Sequence, residues 1–488
     1  MATSADEKGT EDRPSIMSRH RTTQSSSADR DGVTDIHTKR ETESDSDNEW
    51  WGDDIPNVII RAPLSSDEAS TRYTAIKPAL EEFLSLKFDA FFFGPVVVTP
   101  RDGSDIPVLV ILLDTYDSNP LPTPAELESL VGGYFVLVLG KGNFDSSVSS
   151  TTSNHAGRNY HQSLMCGDSI EMTQHEPGTL GLFVEEEDRL VGITAGHILK
   201  GSAEGSDVMQ PSLSDFKQQV EDVKRSLQFI ERKIAMIKRQ PNNVETLRQE
   251  QNTIEAELVC LMDLIGKDDT ETRKNLLVGH TISWELRSVN FNGRRCYSDW
   301  GKMNILKERE PIESPFKGFP SSEEKVLYGM EWGNVADWGD LDFDLVVRKS
   351  GRRTGLTFGF VAGVHAGWVN PKVKSAPCSE FYVLQELHEE ENFFAKKGDS
   401  GAAVIARDGT VVGFVHCGIE IKDIQVVCLP GGDVPDILTG ASRRDPKGDV
   451  DTNRQWFSYF QRRSFILIES AVMVKEQAGL TGKIFPHN

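Results

Sequence analysis

A serine and a histidine, far apart in this sequence, have surroundings that suit covalent chemistry. Ser400 lies in the motif Gly-Asp-Ser-Gly at residues 398–401, and His197 follows the apolar run 190–194 and two small residues. A serine hydroxyl is almost entirely protonated at neutral pH, so it becomes a nucleophile only when a neighbouring base accepts its proton. Taken singly, His197 is typical of a structural histidine and Ser400 of a turn serine. Together they indicate a nucleophile and its base.

These motifs resemble those of the chymotrypsin/trypsin-like serine peptidases, in which Thr-Ala-Ala-His ends a strand of the first β-barrel and Gly-Asp-Ser-Gly opens the nucleophile strand of the second. Here the first motif reads Thr-Ala-Gly-His at 194–197, and the second matches in full. The resemblance covers residues 163–475 and is closest to intracellular, disulfide-poor trypsin-like domains of fungi. It implies a double β-barrel, with residues 351–359 as the first hairpin of the second barrel and residues 456–478 as the closing strand and terminal helix.

The resemblance also implies a catalytic aspartate between His197 and that hairpin. The candidates are Asp299, Asp337, Asp340, Asp342 and Asp344. We select Asp299, because the family's acid begins a strand of the first barrel well before the second-barrel hairpin, whereas Asp342 runs directly into it. The pair Asp299-Trp300 resembles the start of the family's Asp-Trp-Ala-Leu, and residues 301–303 then depart from that pattern. Asp342 remains the alternative.

The implied mechanism gives each of these residues a role. His197 is the general base, and Asp299 fixes the imidazole tautomer and stabilises the imidazolium. The backbone N–H groups of Gly398 and Ser400 form the oxyanion hole. Secreted relatives pair the acid before the nucleophile, here Asp399, with a newly cut amino terminus, and this sequence has no family-like activation site. A buried carboxylate needs a partner, which the sequence does not identify, so constitutive and triggered activity both stay open.

The substrate pocket is predicted from three residues, namely Phe394, His416 and Gly418. Phe394 stands six positions before the nucleophile, where the family often has the floor of the first specificity pocket, so a trypsin-like demand for Arg or Lys is not supported. His416, with Lys396 and Lys397, suggests a preference for an acidic side chain. The alternative is a packed histidine and exposed lysines.

The elements that must position these residues form a mainly β domain, preceded by two other kinds of sequence. Residues 1–55 are rich in Ser, Thr, Asp and Arg with almost no aliphatic clusters, which predicts a disordered acidic tail. Residues 56–145 read β-α-β-β-α-β and predict a small α+β domain of the split βαβ, ferredoxin-like, type. A Ser/Thr/Asn-rich linker follows at 146–162. Short apolar strands punctuated by glycine then predict the trypsin-like peptidase domain at 163–484.

A segment of helical periodicity, residues 210–268, interrupts the β domain. On both sides of a turn at 240–243, apolar residues recur at alternating steps of four and three. These heptads predict two helices that fold back as an antiparallel coiled-coil hairpin. The alternative is that the helices open and pair, through residues 212–265, with a protein partner or a second copy.

Composition limits the remaining classes of function. The 75 acidic and 53 basic residues give a formal net charge of −22, which repels nucleic acid and anionic lipid. No apolar run approaches the ~20 residues of a membrane span, and no signal-like segment is evident, so we expect a cytoplasmic protein without nucleic-acid or membrane partners. The 6 cysteines lack metal-ligand spacing and predict free thiols in a reducing compartment, although Cys417 and Cys428 would be able to pair in an oxidising one. No motif indicates a cofactor or metal.

Three hypotheses follow. The first is an intracellular serine endopeptidase that cleaves polypeptides through an acyl-enzyme. The second is a catalytically silent peptidase fold that acts as a scaffold through protein–protein interaction. The third is a regulated, self-directed protease whose helical insertion, N-terminal module or acidic tail controls access to the cleft.

Overall fold

Short strands separated by glycine turns make up most of the chain, as the apolar runs predict. The computed structural model describes residues 58–100, 104–114, 122–131, 135–144, 158–172, 176–236, 241–312, 335, 337–370, 373, 376–386, 394–428 and 463–485. The predicted disordered tail, residues 1–55, and residues 146–157 of the predicted linker lie outside the described residues.

The N-terminal part has the predicted succession of elements but a different topology. Its elements are β1 (Val58–Arg61), α1 (Glu68–Lys87), β2 (Phe91–Pro100), β3 (Ile106–Leu113), α2 (Pro124–Val131) and β4 (Val136–Asn143). Strand β2 lies between β1 and β3 and is antiparallel to both, and β4 is parallel to β3. A split βαβ fold instead places its first and third strands side by side. The ferredoxin-like prediction is therefore wrong in strand order.

The remaining strands build the region that resembled a peptidase. They are β5 (Ser169–Met172), β6 (Gly178–Thr179), β7 (Leu182–Glu186), β8 (Arg189–Thr194), β9 (Asp207–Met209), β10 (Leu277–Phe291), β11 (Arg294–Ile305), β12 (Val346–Gly351), β13 (Gly355–Phe360), β14 (Ala366–Val369), β15 (Cys378–Glu386), β16 (Ala403–Ala406), β17 (Val411–Cys428), β18 (Arg463–Ser470) and β19 (Lys483–Ile484). Its helices are α3 (Gly196–Leu199), α4 (Leu213–Met236), α5 (Pro241–Asp263), α6 (Asp269–Asn275) and α7 (Ala471–Gln477).

These strands form two sheets that pack against each other. The first has the order β19-β7-β8-β11-β10-β9-β5-β6, and the second runs β13-β12-β16-β17-β18-β15-β14 before it continues into the N-terminal strands. The predicted hairpin is β12 and β13, and the predicted closing strand and helix are β18 and α7. One apolar core joins Ile193 and Met303 of the first sheet to Ile405 and Phe414 of the second. The catalytic candidates lie along this seam.

The N-terminal strands complete a barrel that also uses strands β14, β15, β17 and β18. Strand β2 pairs with β14, and β4 pairs with the second half of the 18-residue strand β17. The pairing closes a seven-stranded barrel in the order β17-β18-β15-β14-β2-β3-β4. Its core includes the fully buried rings of Phe92, Tyr382 and Phe465. Unpaired strand edges tend to associate with other chains. Here the outer edges of β2 and β4 are hydrogen-bonded to β14 and β17. The described residues after Pro56 lie in one compact unit.

The insertion contains two helices at the predicted position. The start of α4 packs against the end of α5, with Phe216, Val220 and Leu261 in a shared apolar cluster and Gln219 donating a 3.4 Å hydrogen bond to Glu257. Further out on α4, Phe229 is 63% exposed. The coiled-coil register and the association through 212–265 stay predictions.

Candidate active site

The turn that carries His197 lies where the backbones of β8, β10 and β11 come close together. Strand β8 ends at Thr194, and α3 begins directly afterwards with His197 in its first turn. A methyl group added to Gly196 would lie 2.0 Å from the carbonyl oxygen of Glu285 and 2.6 Å from that of Trp300. The glycine that departs from the family's Thr-Ala-Ala-His is therefore required here by the backbones of β10 and β11.

Asp299 of β11 holds His197 through two hydrogen bonds. Its Oδ2 lies 2.7 Å from His197 Nδ1, and its Oδ1 accepts the His197 backbone N–H at 2.8 Å. Asp299 is buried; burial alone would raise its pKa, but the His197 imidazole and these hydrogen bonds hold the pKa of the carboxyl below its ordinary value. The alternative, Asp342, lies on an exposed loop where its carboxylate accepts the backbone N–H of Phe343 at 2.8 Å.

A second buried acid that the sequence reasoning missed lies behind Asp299. The backbone N–H of Asp299 donates to both carboxylate oxygens of Glu469, at 3.0 and 3.1 Å. Burial, and then the charge of Asp299, raise the pKa of Glu469 well above its ordinary value. The available signal was a glutamate at the end of the apolar strand β18, where alternation places it on a buried face.

The nucleophile loop, residues 394–402, packs against the turn that carries His197. The backbone carbonyl of Ser400 accepts the N–H of Thr179 at 2.9 Å. A methyl group added to Gly401 would lie 2.5 Å from Thr194 Oγ1 and 2.8 Å from the backbone nitrogen of Ala195. Gly401 has φ +93°, in the region that favours glycine. The motif glycine thus permits the contact that brings Ser400 to the histidine side of the seam.

The backbone N–H groups of Gly398 and Ser400 were predicted to form an oxyanion hole. Among the described residues, neither the Gly398 N–H nor the Ser400 N–H donates a hydrogen bond. The Gly398 carbonyl is turned away and accepts the Thr179 hydroxyl at 2.7 Å, and Gly398 has φ +96°. Buried backbone donors normally have partners, so these two N–H groups, two residues apart in the chain, are available to a ligand oxygen.

Asp399 has an internal partner, which the sequence did not identify. Its Oδ2 lies 3.2 Å from Lys349 Nζ and accepts the Thr354 hydroxyl at 2.7 Å, while its Oδ1 accepts the Arg353 backbone N–H at 2.6 Å. Both charged side chains are completely buried. Burial opposes ionisation of Asp399, but the Lys349 charge and these hydrogen bonds keep its pKa lowered. Burial lowers the pKa of Lys349 and the Asp399 charge opposes this effect, so Lys349 of β12 is the internal partner of Asp399.

The predicted pocket residue His416 lies in the interior of the protein. His416 is buried beside the rings of Tyr297 and Trp368, and neither of its ring nitrogens has a hydrogen-bond partner among the described side chains and backbone. Burial lowers the pKa of His416 to about 4, so the ring is neutral near pH 7. Lys397 pairs with Glu176 at 2.7 Å. Glu380 Oε2 lies 3.9 Å from His416 Nε2, and the preference for an acidic substrate side chain stays a prediction.

The other predicted pocket residues differ in exposure. Phe394 is buried, and its carbonyl accepts the Thr357 hydroxyl at 2.7 Å. Lys396 is also buried, whereas Gly418 on β17 is partly exposed. The structure thus places Phe394 in an apolar cluster with Val347 of β12 and Val383 of β15, and the pocket preference stays unassigned.

The buried acid Glu380 gives the first testable prediction, a pH-dependent stability. Glu380 accepts the Tyr297 backbone N–H at 2.6 Å, and burial raises its pKa from 4.5 to about 8. The folded state therefore binds a proton that the unfolded state releases between these values, and stability falls as pH rises, by at most about 1.4 kcal/mol per pH unit. In Glu380→Gln, whose amide oxygen still accepts that N–H, urea unfolding should show a smaller loss of stability from pH 5 to pH 8. Equal losses in the two proteins would contradict the prediction.

Known proteins are similar to this chain in structure and not in sequence. No protein-family model matches the chain, and no curated protein matches it in sequence. Among solved structures it is similar to a glutamic acid specific serine protease that utilizes a histidine triad in substrate binding, at 10% identity over 66% of this chain and 100% of that one, with a TM-score of 0.32. It is also similar to Thermobifida fusca Protease A, at 10% identity over 66% and 100% with a TM-score of 0.31, and to Nocardiopsis protease, at 11% identity over 66% and 100% with a TM-score of 0.31.

The class that these observations define is coarse: a mainly β chain with a closed barrel, whose neighbours among solved structures are chymotrypsin-like serine proteases. None of the described helices is long and apolar enough to span a membrane. Within the described ranges, no three His, Cys, Asp or Glu side chains are grouped so as to hold a metal ion.

Proposed function

We propose that this chain is a serine endopeptidase that cleaves polypeptides with His197, Asp299 and Ser400. The observation that carries the proposal is the 2.7 Å pair of His197 Nδ1 with the buried Asp299 carboxylate. This hydrogen bond occupies Nδ1 and leaves Nε2 available to act as the base. The turn that carries His197 packs against the nucleophile loop. Such a pair holds the imidazole in the tautomer that general-base catalysis needs.

The proposed reaction begins with proton transfer from Ser400 Oγ to His197 Nε2 as Oγ attacks the substrate carbonyl carbon. The carbonyl oxygen becomes an oxyanion that accepts hydrogen bonds from the N–H groups of Gly398 and Ser400, each such donor being worth about 3 kcal/mol in the transition state. The imidazolium, stabilised by ionised Asp299, then protonates the leaving amine, and the acyl-enzyme forms. Water, deprotonated by His197, releases the acid product and restores Ser400.

The site is proposed to be formed without proteolytic activation. Lys349 of β12 forms a buried ion pair with Asp399 of the nucleophile loop. This pair stabilises the loop conformation without a newly cut amino terminus. We further propose that the enzyme acts in the cytoplasm. The five cysteines with described side chains, including Cys417, are free thiols, which is typical of a reducing compartment; the side chain of Cys428 lies outside the described residues.

A scaffold without catalytic activity is the second candidate, and one observation favours it. Within the described structure, the Ser400 hydroxyl and His197 do not form a hydrogen bond. This bond is often long in free enzymes and tightens with substrate. In the scaffold hypothesis, the exposed apolar side chains of the insertion, such as Phe229 and Met236, would contact a partner or a second copy.

A fluorophosphonate probe tests the proposal directly, because it reacts with an activated serine and spares ordinary ones. We expect the wild-type chain to be labelled and Ser400→Ala to be unlabelled. Ser202→Ala is the matched control, since Ser202 lies just after α3 and its hydroxyl donates to the Leu199 carbonyl at 2.6 Å; it should label like the wild type. Labelling that survives Ser400→Ala, or a wild-type chain that never labels, would support the scaffold.

A further inference from the structure

The helical insertion is connected to the peptidase part through a buried carboxylate in its first turn. Asp215 of α4 is buried, and its two oxygens accept hydrogen bonds from Arg352 Nε at 2.6 Å and Arg352 Nη2 at 3.0 Å. Arg158 Nε donates to Asp215 at 2.8 Å, and the Ser169 hydroxyl donates at 2.6 Å. The positive charge of Arg352 is the main cause that lowers the pKa of Asp215 to about 2, against the opposing effect of burial. This carboxylate therefore stays ionised between two guanidinium groups.

Arg352, the other end of this contact, packs against the oxyanion-hole glycine. A methyl group added to Gly398 would lie 2.1 Å from Arg352 Nη1 and 3.3 Å from its guanidinium carbon. The backbone N–H of Arg352 also donates to Thr179 Oγ1 at 3.2 Å, the same hydroxyl that donates to the Gly398 carbonyl. Arg352 thus contacts the Gly398 peptide with its side chain and, through Thr179, with its backbone.

We infer that the insertion positions the oxyanion hole: Asp215 orients the Arg352 guanidinium, and Arg352 holds the Gly398 peptide with its N–H directed toward the substrate. The inference rests on the proposed function for its catalytic meaning. Arg352 is a positioning residue, since it acts through Gly398. Without the Asp215 charge, the guanidinium groups of Arg352 and Arg158 would repel each other, and no described carboxylate would fix Arg352 in the bidentate geometry that an Arg–carboxylate pair provides.

This connection explains how a peptidase domain can respond to its insertion. Asp215 lies in the first turn of α4, so any movement of the base of the helix moves the carboxylate. A partner that binds the outer part of α4 and α5 would thereby change the orientation of the Gly398 N–H.

Hydrogen exchange measured by mass spectrometry tests the coupling without relying on activity. The amides of Asp399, Gly401 and Ala402 are hydrogen-bonded within or next to the loop, so they report its order. In Asp215→Asn, a peptide covering 394–402 should exchange at least tenfold faster, while a peptide from β8 should keep its rate. Asp269→Asn is the control, because Asp269 of α6 forms an exposed ion pair with Lys217 of the insertion. Equal loop exchange in Asp215→Asn and Asp269→Asn would overturn the inference.

Arg352→Lys is the second variant, to be used if Asp215→Asn does not fold. A lysine keeps the charge opposite Asp215 but cannot make the bidentate contact and also pack on Gly398. Both variants should lower kcat at least tenfold with little change in KM, since an oxyanion hole acts on the transition state. A rise in KM with unchanged kcat would contradict the positioning role. If the wild-type chain fails to label with fluorophosphonate, the proposed function fails, and the exchange experiment still decides the coupling.

Discussion

Asp299→Asn is expected to lower kcat about 10⁴-fold, because an amide in place of the carboxylate favours the wrong imidazole tautomer. The Asp299 carboxylate accepts both the Nδ1 side of the His197 ring and the His197 backbone N–H. The side-chain oxygen of an asparagine can accept a hydrogen bond from only one of these two nitrogens of His197. The NH2 group of the asparagine would then face the other nitrogen, which also has to donate. The His197 base would carry its proton on the nitrogen that must accept one from Ser400.

The measurement is the steady-state hydrolysis of a peptide substrate, together with the rate of fluorophosphonate labelling. Asp342→Asn is the matched control, because Asp342 was the alternative acid and its carboxylate accepts only a neighbouring backbone N–H on an exposed loop. It should retain full activity. Circular dichroism must show that Asp299→Asn folds. A tenth or more of wild-type activity in the Asp299 variant, or a large loss in the Asp342 variant, would refute the triad assignment.

Lys349→Met is expected to reduce activity at least a hundredfold and to destabilise the fold, by about 3–5 kcal/mol if it behaves like other buried pairs that lose one partner. The variant leaves Asp399 buried without its cation, with only the Thr354 hydroxyl and backbone N–H donors around it. The carboxylate must then become protonated or move toward water. Either change disturbs the loop that carries the Ser400 and Gly398 N–H groups, so the oxyanion hole is lost together with stability.

Two controls separate this effect from a general loss of positive charge. Lys397→Met removes a partly exposed lysine of the same loop, paired with Glu176, and should change stability by no more than about 0.5 kcal/mol. The double variant Lys349→Met with Asp399→Asn removes both buried charges and should recover part of the lost stability. Activity should stay low in the double variant, because asparagine cannot accept the same set of hydrogen bonds. Unchanged activity in Lys349→Met would show that the pair is not what supports the loop.

Much of the candidate site was predictable because its signals are local. The Gly-Asp-Ser-Gly loop needs glycine at 398 and 401, where φ is +96° and +93°, and an apolar strand that ends in small residues positions His197. Asp299 was selected from five aspartates by its distance from the β12–β13 hairpin, and its carboxylate lies against His197. The helices of the insertion followed from the heptad spacing.

The rest depended on contacts between residues that are distant in sequence. The split βαβ prediction used the order of elements alone, and that order does not specify that β2 would pair with β14 and β4 with β17. The position of His416 in the sequence could not show that its side chain would be buried, since its surroundings come from β11 and β14.

The sequence by itself determined which serine, histidine and aspartate are available for the proposed chemistry and which elements carry them, since turns and periodicity depend on neighbouring residues. Only the tertiary structure decided what supports them, namely Lys349 beside Asp399, Glu469 behind Asp299, and the Asp215–Arg352 pair beside Gly398. The physical reason is burial. A charged side chain is stable in a protein interior only with a partner, and which residue becomes that partner is set by strand pairing and packing that no single stretch of sequence records.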